Sequence, residues 1–102
     1  MTTGQGAQDS HHVTVKLFAS VKDVFREREI QVPLQVAPDI QHLLRFICTS
    51  PDRTHAILED EGTVRNDIVV LLNGRNIAFV GGLKAGLKEG DDVRVFPPTY
   101  GG

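Results

Sequence analysis

One strongly amphipathic helix among several strand-like runs is the feature that most limits what this chain can fold into. Ile40, Leu43, Leu44 and Ile47 fall at i, i+3, i+4 and i+7, a single apolar stripe. Gln41, His42 and Arg45 point to water on the other side. One helix covers one face of a sheet, so the strands around it predict a two-layer α+β domain. The length, 102 residues, is one domain's worth. A hydrophobic content of 40% supplies one small core and is too high for a disordered chain.

The strand runs frame that helix. Val13, Val15, Leu17 and Ala19 alternate with Thr14 and Lys16, which predicts a half-buried strand. Ser20 then reads as the cap of a short turn in which Val21, Val24 and Phe25 have helical spacing. Ile30, Val32, Leu34 and Val36 alternate inward over 29–36, and Pro33 puts that strand at an edge or a bulge. These two strands are expected to form an antiparallel hairpin. Asp39 caps the helix, Phe46 flanks its stripe, Cys48 lies just beyond it, and Pro51 ends it. Residues 52–67 read as a loop with one helical turn. Ile68–Leu72 is an unbroken apolar run and predicts a well-buried strand. Asn73-Gly74 is a tight-turn signal, after which 75–80 returns as a short strand broken by Gly81-Gly82. Leu83 and Leu87 anchor an irregular stretch. Glu89-Gly90-Asp91 turns into a last strand, 93–96. This order suits a β-grasp sheet of four or five mixed strands, with the first and last strands parallel and central. The domain spans 13–98, with 1–12 and 99–102 expected to be flexible tails.

Composition narrows the function. Lys and Arg number 11 against 13 Asp and Glu, a formal charge of −2, so no basic excess points to nucleic acid or to an anionic membrane. A single Cys excludes a disulfide scaffold and a four-thiolate metal site. No apolar run is long enough to span a membrane, and residues 1–10 do not resemble a secretory signal, so a cytoplasmic protein is expected. Cys48, His42 and His55 are not spaced as a triad or a metal site, and burial is the ordinary explanation for a lone Cys. The acidic run Glu59-Asp60-Glu61 reads as a solvated loop.

The last residues are the candidates for chemistry. Pro97-Pro98 favours polyproline II geometry and projects the tail away from the sheet. Gly101 and Gly102 lack Cβ and can thread a narrow groove, leaving the terminal carboxylate unshielded. Such a stalk suits delivery of the Gly102 carboxylate into another protein's active site for activation as an acyl-adenylate. Phe18 falls outside the inward set of the first strand. With Phe79 it is a candidate for an exposed docking patch.

Two stretches resemble a known family. Leu17-Phe-Ala-Ser-Val-Lys-Asp-Val24 is similar to the first strand and following turn of the MoaD/ThiS-type ubiquitin-like sulfur carriers. Leu87-Lys-Glu-Gly-Asp-Asp-Val-Arg-Val-Phe-Pro-Pro-Thr-Tyr-Gly-Gly102 resembles their C-terminus, most of all that of the molybdopterin synthase small subunit. Thr99-Tyr100 departs from the small residues more usual before the glycines. Gly81-Gly82-Leu83 also resembles a carrier of an actinobacterial cysteine pathway. The resemblance implies a non-catalytic carrier whose Gly102 is adenylated by a ubiquitin-activating-type enzyme. That enzyme supplies the ATP and Mg²⁺ chemistry, since this chain has no phosphate-binding loop and needs no bound cofactor. A sulfur donor then leaves a thiocarboxylate, used with the molybdopterin synthase large subunit in molybdenum or tungsten cofactor synthesis. Gly101, Tyr100 and Thr99 would thread the partner, and Phe96, Pro97 and Pro98 would aim the tail and dock. Three alternatives stay open. One is a modifier joined to target lysines through Gly102. Another is sulfur delivery for cysteine, thiamine or tRNA thiolation. The last is an interaction domain whose Gly-Gly is incidental.

Overall fold

The computed structural model describes residues 11–97. Five strands form one sheet: β1 (His12–Leu17), β2 (Glu29–Pro33), β3 (Val69–Leu72), β4 (Arg75–Asn76) and β5 (Asp92–Phe96). Their order is β2-β1-β5-β3-β4. β1 and β5 run parallel at the centre, with Val15 beside Val93 and Leu17 beside Val95. β2 is antiparallel to β1, and β3 is antiparallel to both β4 and β5. The β-grasp expectation therefore holds, and Pro33 lies on an edge strand as its missing N–H requires.

Three α-helices accompany the sheet: α1 (Ala19–Phe25), α2 (Ile40–Ile47) and α3 (Pro51–Ile57). The predicted stripe of α2 is the centre of the core, with Ile40, Leu43, Leu44 and Ile47 all at most 2% exposed. They meet Val13, Val15, Leu17, Val93 and Val95 from the two central strands in one cluster. Each such burial stabilises by about 1.5–3 kcal/mol relative to exposure. The Asp39 carboxylate accepts the His42 N–H at 2.9 Å and so caps α2 as expected.

Several local expectations need correction. Ser20 does not cap α1; Phe18 occupies that position without a side-chain hydrogen bond, and Ser20 is exposed inside the helix. Ala19 leaves the strand and starts the helix with a left-handed φ of 53°. Val24 is exposed, so α1 buries only Val21 and Phe25. β2 stops at Pro33, and Leu34–Val36 winds into a 3₁₀ turn that leaves Val36 exposed. Phe46 is exposed instead of flanking the stripe. Pro51 does not merely end a helix. It opens α3 at the first turn, where a missing N–H costs nothing, behind Ser50, whose hydroxyl accepts the Arg53 N–H at 3.2 Å. The one helical turn expected within 52–67 is therefore a helix of seven residues, Pro51–Ile57.

In β3 only Val70 is buried; Leu72, on the same face, packs half-buried against the core, and Val69 and Leu71 are half-buried on the opposite face beside Phe96 and Arg94. The return strand is two residues long, and Ile77–Phe79 becomes a 3₁₀ turn once the Asn76 side chain accepts the Ala78 N–H. Asn73 and Gly74, with φ of 51° and 87°, make the predicted tight turn. Gly81 combines φ of 119° with a close approach: a Cβ there would lie 3.2 Å from the Ala85 Cα.

Candidate functional site

β5 carries the chain out of the sheet toward the terminal residues, and two devices fix where it points. The first lies at its start. Asp91 is buried, and its carboxylate accepts the Lys88 N–H at 2.7 Å and the Asn73 side-chain amide at 3.0 Å. The Asn73 side-chain oxygen, Oδ1, accepts the Asp92 N–H at 2.9 Å. The turn before β5 is thereby tied to the turn after β3, which sets the register of the last strand. The second device is the parallel ladder with β1, ended by the Phe18 N–H donating to the Val95 carbonyl at 3.1 Å.

At the exit, two predicted docking residues come together. Val93 and Val95 face the core, so Phe96 lies on the opposite face of the sheet. Its ring meets that of Phe18 edge to face, with centroids 5.9 Å apart and planes at 87°. Such a pair contributes about 0.5–1.5 kcal/mol beyond its area. Phe18 and Phe96 are both half-buried, as is Pro97, the last described residue. Phe79 is 85% exposed on the 3₁₀ turn after β4 and makes no ring contact with the pair among the described residues. The structure thus joins Phe18 to Phe96 and leaves Phe79 apart. Pro98, Thr99, Tyr100, Gly101 and Gly102 lie outside the described residues.

Sequence reading missed what surrounds the pair. Val69 sits opposite Phe96 and Leu71 opposite Arg94 in the ladder, so both extend the apolar patch on the open face. The signal was present: β3 follows the same alternation as its neighbours, but an unbroken apolar run hides it. Beside the patch, Asp92 binds Arg94 at 2.9 Å and lies 3.7 Å from Lys16. The face combines an apolar centre with a charged rim, the usual make-up of a protein-binding surface.

Arg53 was also missed. Its guanidinium donates to the Ile47 carbonyl at 3.2 Å and the Phe25 carbonyl at 2.9 Å, pairs with Glu27 at 3.2 Å, and stacks 4.7 Å from the Phe25 ring. It clamps the C-terminal ends of α1 and α2 from α3 and is structural. Cys48 is half-buried, its thiol contacts the Arg53 carbonyl at 3.6 Å, and burial pushes its pKa up to about 11. A thiol held protonated in this way is a poor nucleophile.

Comparison with known proteins agrees with this architecture. The ThiS family model matches residues 15–102. Small archaeal modifier protein 3 of Haloferax volcanii is 30% identical over 86% of this chain and 96% of its own. The crystal structure of SAMP1 from Haloferax volcanii superposes with a TM-score of 0.73 at 26% identity, covering 89% of this chain and 99% of that one. The Amycolatopsis orientalis BexX/CysO complex supports the fold alone, with a TM-score of 0.74 at 21% identity over 88% of this chain and 99% of that one. No helix among the described residues is long and apolar enough to cross a membrane. With a ubiquitin-like sheet, an aromatic pair where the last strand ends and a family match reaching residue 102, the chain belongs to the ThiS family, as a small protein of the sulfur-carrier and modifier kind.

Proposed function

We propose that the Gly102 carboxylate is the reacting group, activated by a ubiquitin-activating-type enzyme. A carboxylate oxygen attacks the α-phosphorus of ATP and expels pyrophosphate, and the Mg²⁺ that this needs belongs to the enzyme. The resulting acyl-adenylate loses AMP to a sulfur nucleophile. Hydrosulfide yields the thiocarboxylate directly. A persulfide yields an acyl disulfide that a thiol then opens to the thiocarboxylate. The sulfur is passed on in molybdopterin synthesis, with the large synthase subunit as the receiving partner.

The observation that carries this reading is the aromatic pair at the end of β5. Phe18 and Phe96 mark a docking patch where the strand continues into Pro97 and the tail. Gly101, Tyr100 and Thr99 thread the enzyme while Phe96, Pro97, Pro98 and Phe18 hold the domain against it. Phe79, set apart and highly exposed, serves a separate contact.

The similarity to small archaeal modifier protein 3 favours a second outcome. The same acyl-adenylate, or a thioester derived from it, is attacked by a lysine amine of a target protein, giving an isopeptide bond and releasing AMP or the thiol. Both outcomes share the first step, so that step is tested first. Pyrophosphate exchange into ATP by the adenylating enzyme should depend on the full chain and vanish when Gly102 is deleted. Exchange that persists at the full rate after the deletion would rule out both outcomes.

A further inference from the structure

Beside the aromatic pair, the segment from Lys16 to Glu29 encloses an open groove of about 450 Å³, with Phe18, Lys16, Lys22, Arg28 and Glu29 on its walls. A second groove of about 320 Å³ shares Lys22 and Arg28 and adds Arg26, Asp23 and Glu27. Lys22, Arg26 and Arg28 make no ion pair among the described residues. Glu27 is taken up by Arg53 at 3.2 Å. A chain with a net charge of −2 therefore gathers three cations outside any ion pair, beside the carboxylates of Asp23 and Glu29, next to the place where β5 ends, a small local excess of positive charge. The backbone is also strained there: Ala19 and Arg26 hold φ of 53° and 61° although neither is glycine.

The pattern of charges selects the occupant. A polyphosphate backbone presents like charges without a break, and Asp23, Glu27 and Glu29 would repel it. A polypeptide can set carboxylates against the three cations and keep them away from the three acids. Phe18 offers the apolar contact that an anchor side chain needs. We propose that this double groove docks an acidic segment of the adenylating partner, with carboxylates on Lys22, Arg26 and Arg28 and an apolar side chain on Phe18. The proposal rests on the activation step above and adds to it the partner's recognition chemistry.

The test is pyrophosphate exchange by the adenylating enzyme, with the full chain as the varied substrate at low and high salt. The double substitution Lys22→Glu with Arg28→Glu should raise KM about tenfold at low salt, as expected for lost electrostatic steering, and act on KM far more than on kcat. High salt should raise the wild-type KM toward that of the variant. A KM that ignores both the substitutions and salt overturns the proposal. Loss of exchange on deleting Gly102, with no effect of the substitutions, upholds the activation step and sinks the groove alone. Should the enzyme not accept this chain, a ¹⁵N-labelled full chain is titrated with the acetylated peptide Glu-Asp-Leu-Glu-Asp. Amide shifts confined to 16–29 and absent in Arg28→Glu support the groove. No shifts, or the same shifts with inorganic phosphate, refute it.

Discussion

The two faces of the β1–β5 pair impose different demands on the same ten or so residues. Toward the helices, Val13, Val15, Leu17, Val93 and Val95 are at most 1% exposed and purely apolar. On the other side stand Thr14, Lys16, Asp92, Arg94 and Phe96, with Phe18 at the end, linked by ion pairs and one aromatic contact. The inner face holds the fold, and its side chains have no exposed surface to offer a partner. The outer face adds little to the core and is the one that carries the proposed docking patch. A small domain can thus serve as a carrier by dividing a single pair of strands between stability and recognition.

Substitutions on the two faces should separate these roles. Leu43→Ala, beneath the inner face, should lower stability by about 2–5 kcal/mol in urea unfolding, because it opens a cavity in a closed core. Phe96→Ala on the outer face should lower it less, by about 1–2.5 kcal/mol, the worth of the lost ring pair plus half-burial of one side chain. That variant should nevertheless raise KM for adenylation about tenfold, in keeping with the proposed role of Phe96 as an interface anchor. Equal losses of stability in the two variants, or an unchanged KM in the second, would break the division.

Smaller effects sharpen it. Asp39→Ala removes the α2 cap and should cost about 1 kcal/mol. The His42 backbone N–H, and then its ring, hold the Asp39 carboxyl below its ordinary value of 3.8. The folded value is the lower one, so this contribution is present above the ordinary value and is lost as pH falls through the folded one. Solvent screening keeps it small. The difference between wild type and Asp39→Ala should therefore shrink only in acid, and a constant difference down to that range would contradict the capping role. The smallest effect expected is a gain. Arg26→Gly relieves a left-handed φ at the end of α1 and should stabilise by up to about 1 kcal/mol while weakening partner docking. Thermal melting and the adenylation KM read the two changes separately.

What could be read from sequence followed the strength of the local signal. The α2 stripe and its Asp39 cap were legible because several residues agree on one period. The central pairing of β1 with β5 followed from element order and alternation. α3 was legible only as one helical turn without its start: seven residues give under two full turns of pattern, and Pro51 signals a stop as readily as a start. Ser50 before it was the missing clue. α1 gave no usable cap because Phe18 reaches that position through tertiary contact with β5. Of the proposed docking residues, Phe18 stands out in the sequence because it lies outside the inward set of β1. Val69 and Leu71 escaped notice because β3 is apolar on both faces. The Arg53 clamp was not legible, since two of its partners, Phe25 and Glu27, lie more than twenty residues away and the nearer ones, Ile47 and Thr49, leave no pattern in the sequence.

The central claim is that the chemistry resides on Gly102 and not on Cys48, and intact-mass measurement of the protein isolated from its own cells tests it most directly. Replacement of one oxygen by sulfur, mapped to the C-terminal peptide, or that peptide found attached to a target lysine, is the predicted result. An unaltered Gly102 in cells carrying out the pathway, with sulfur instead bound at Cys48, would contradict it.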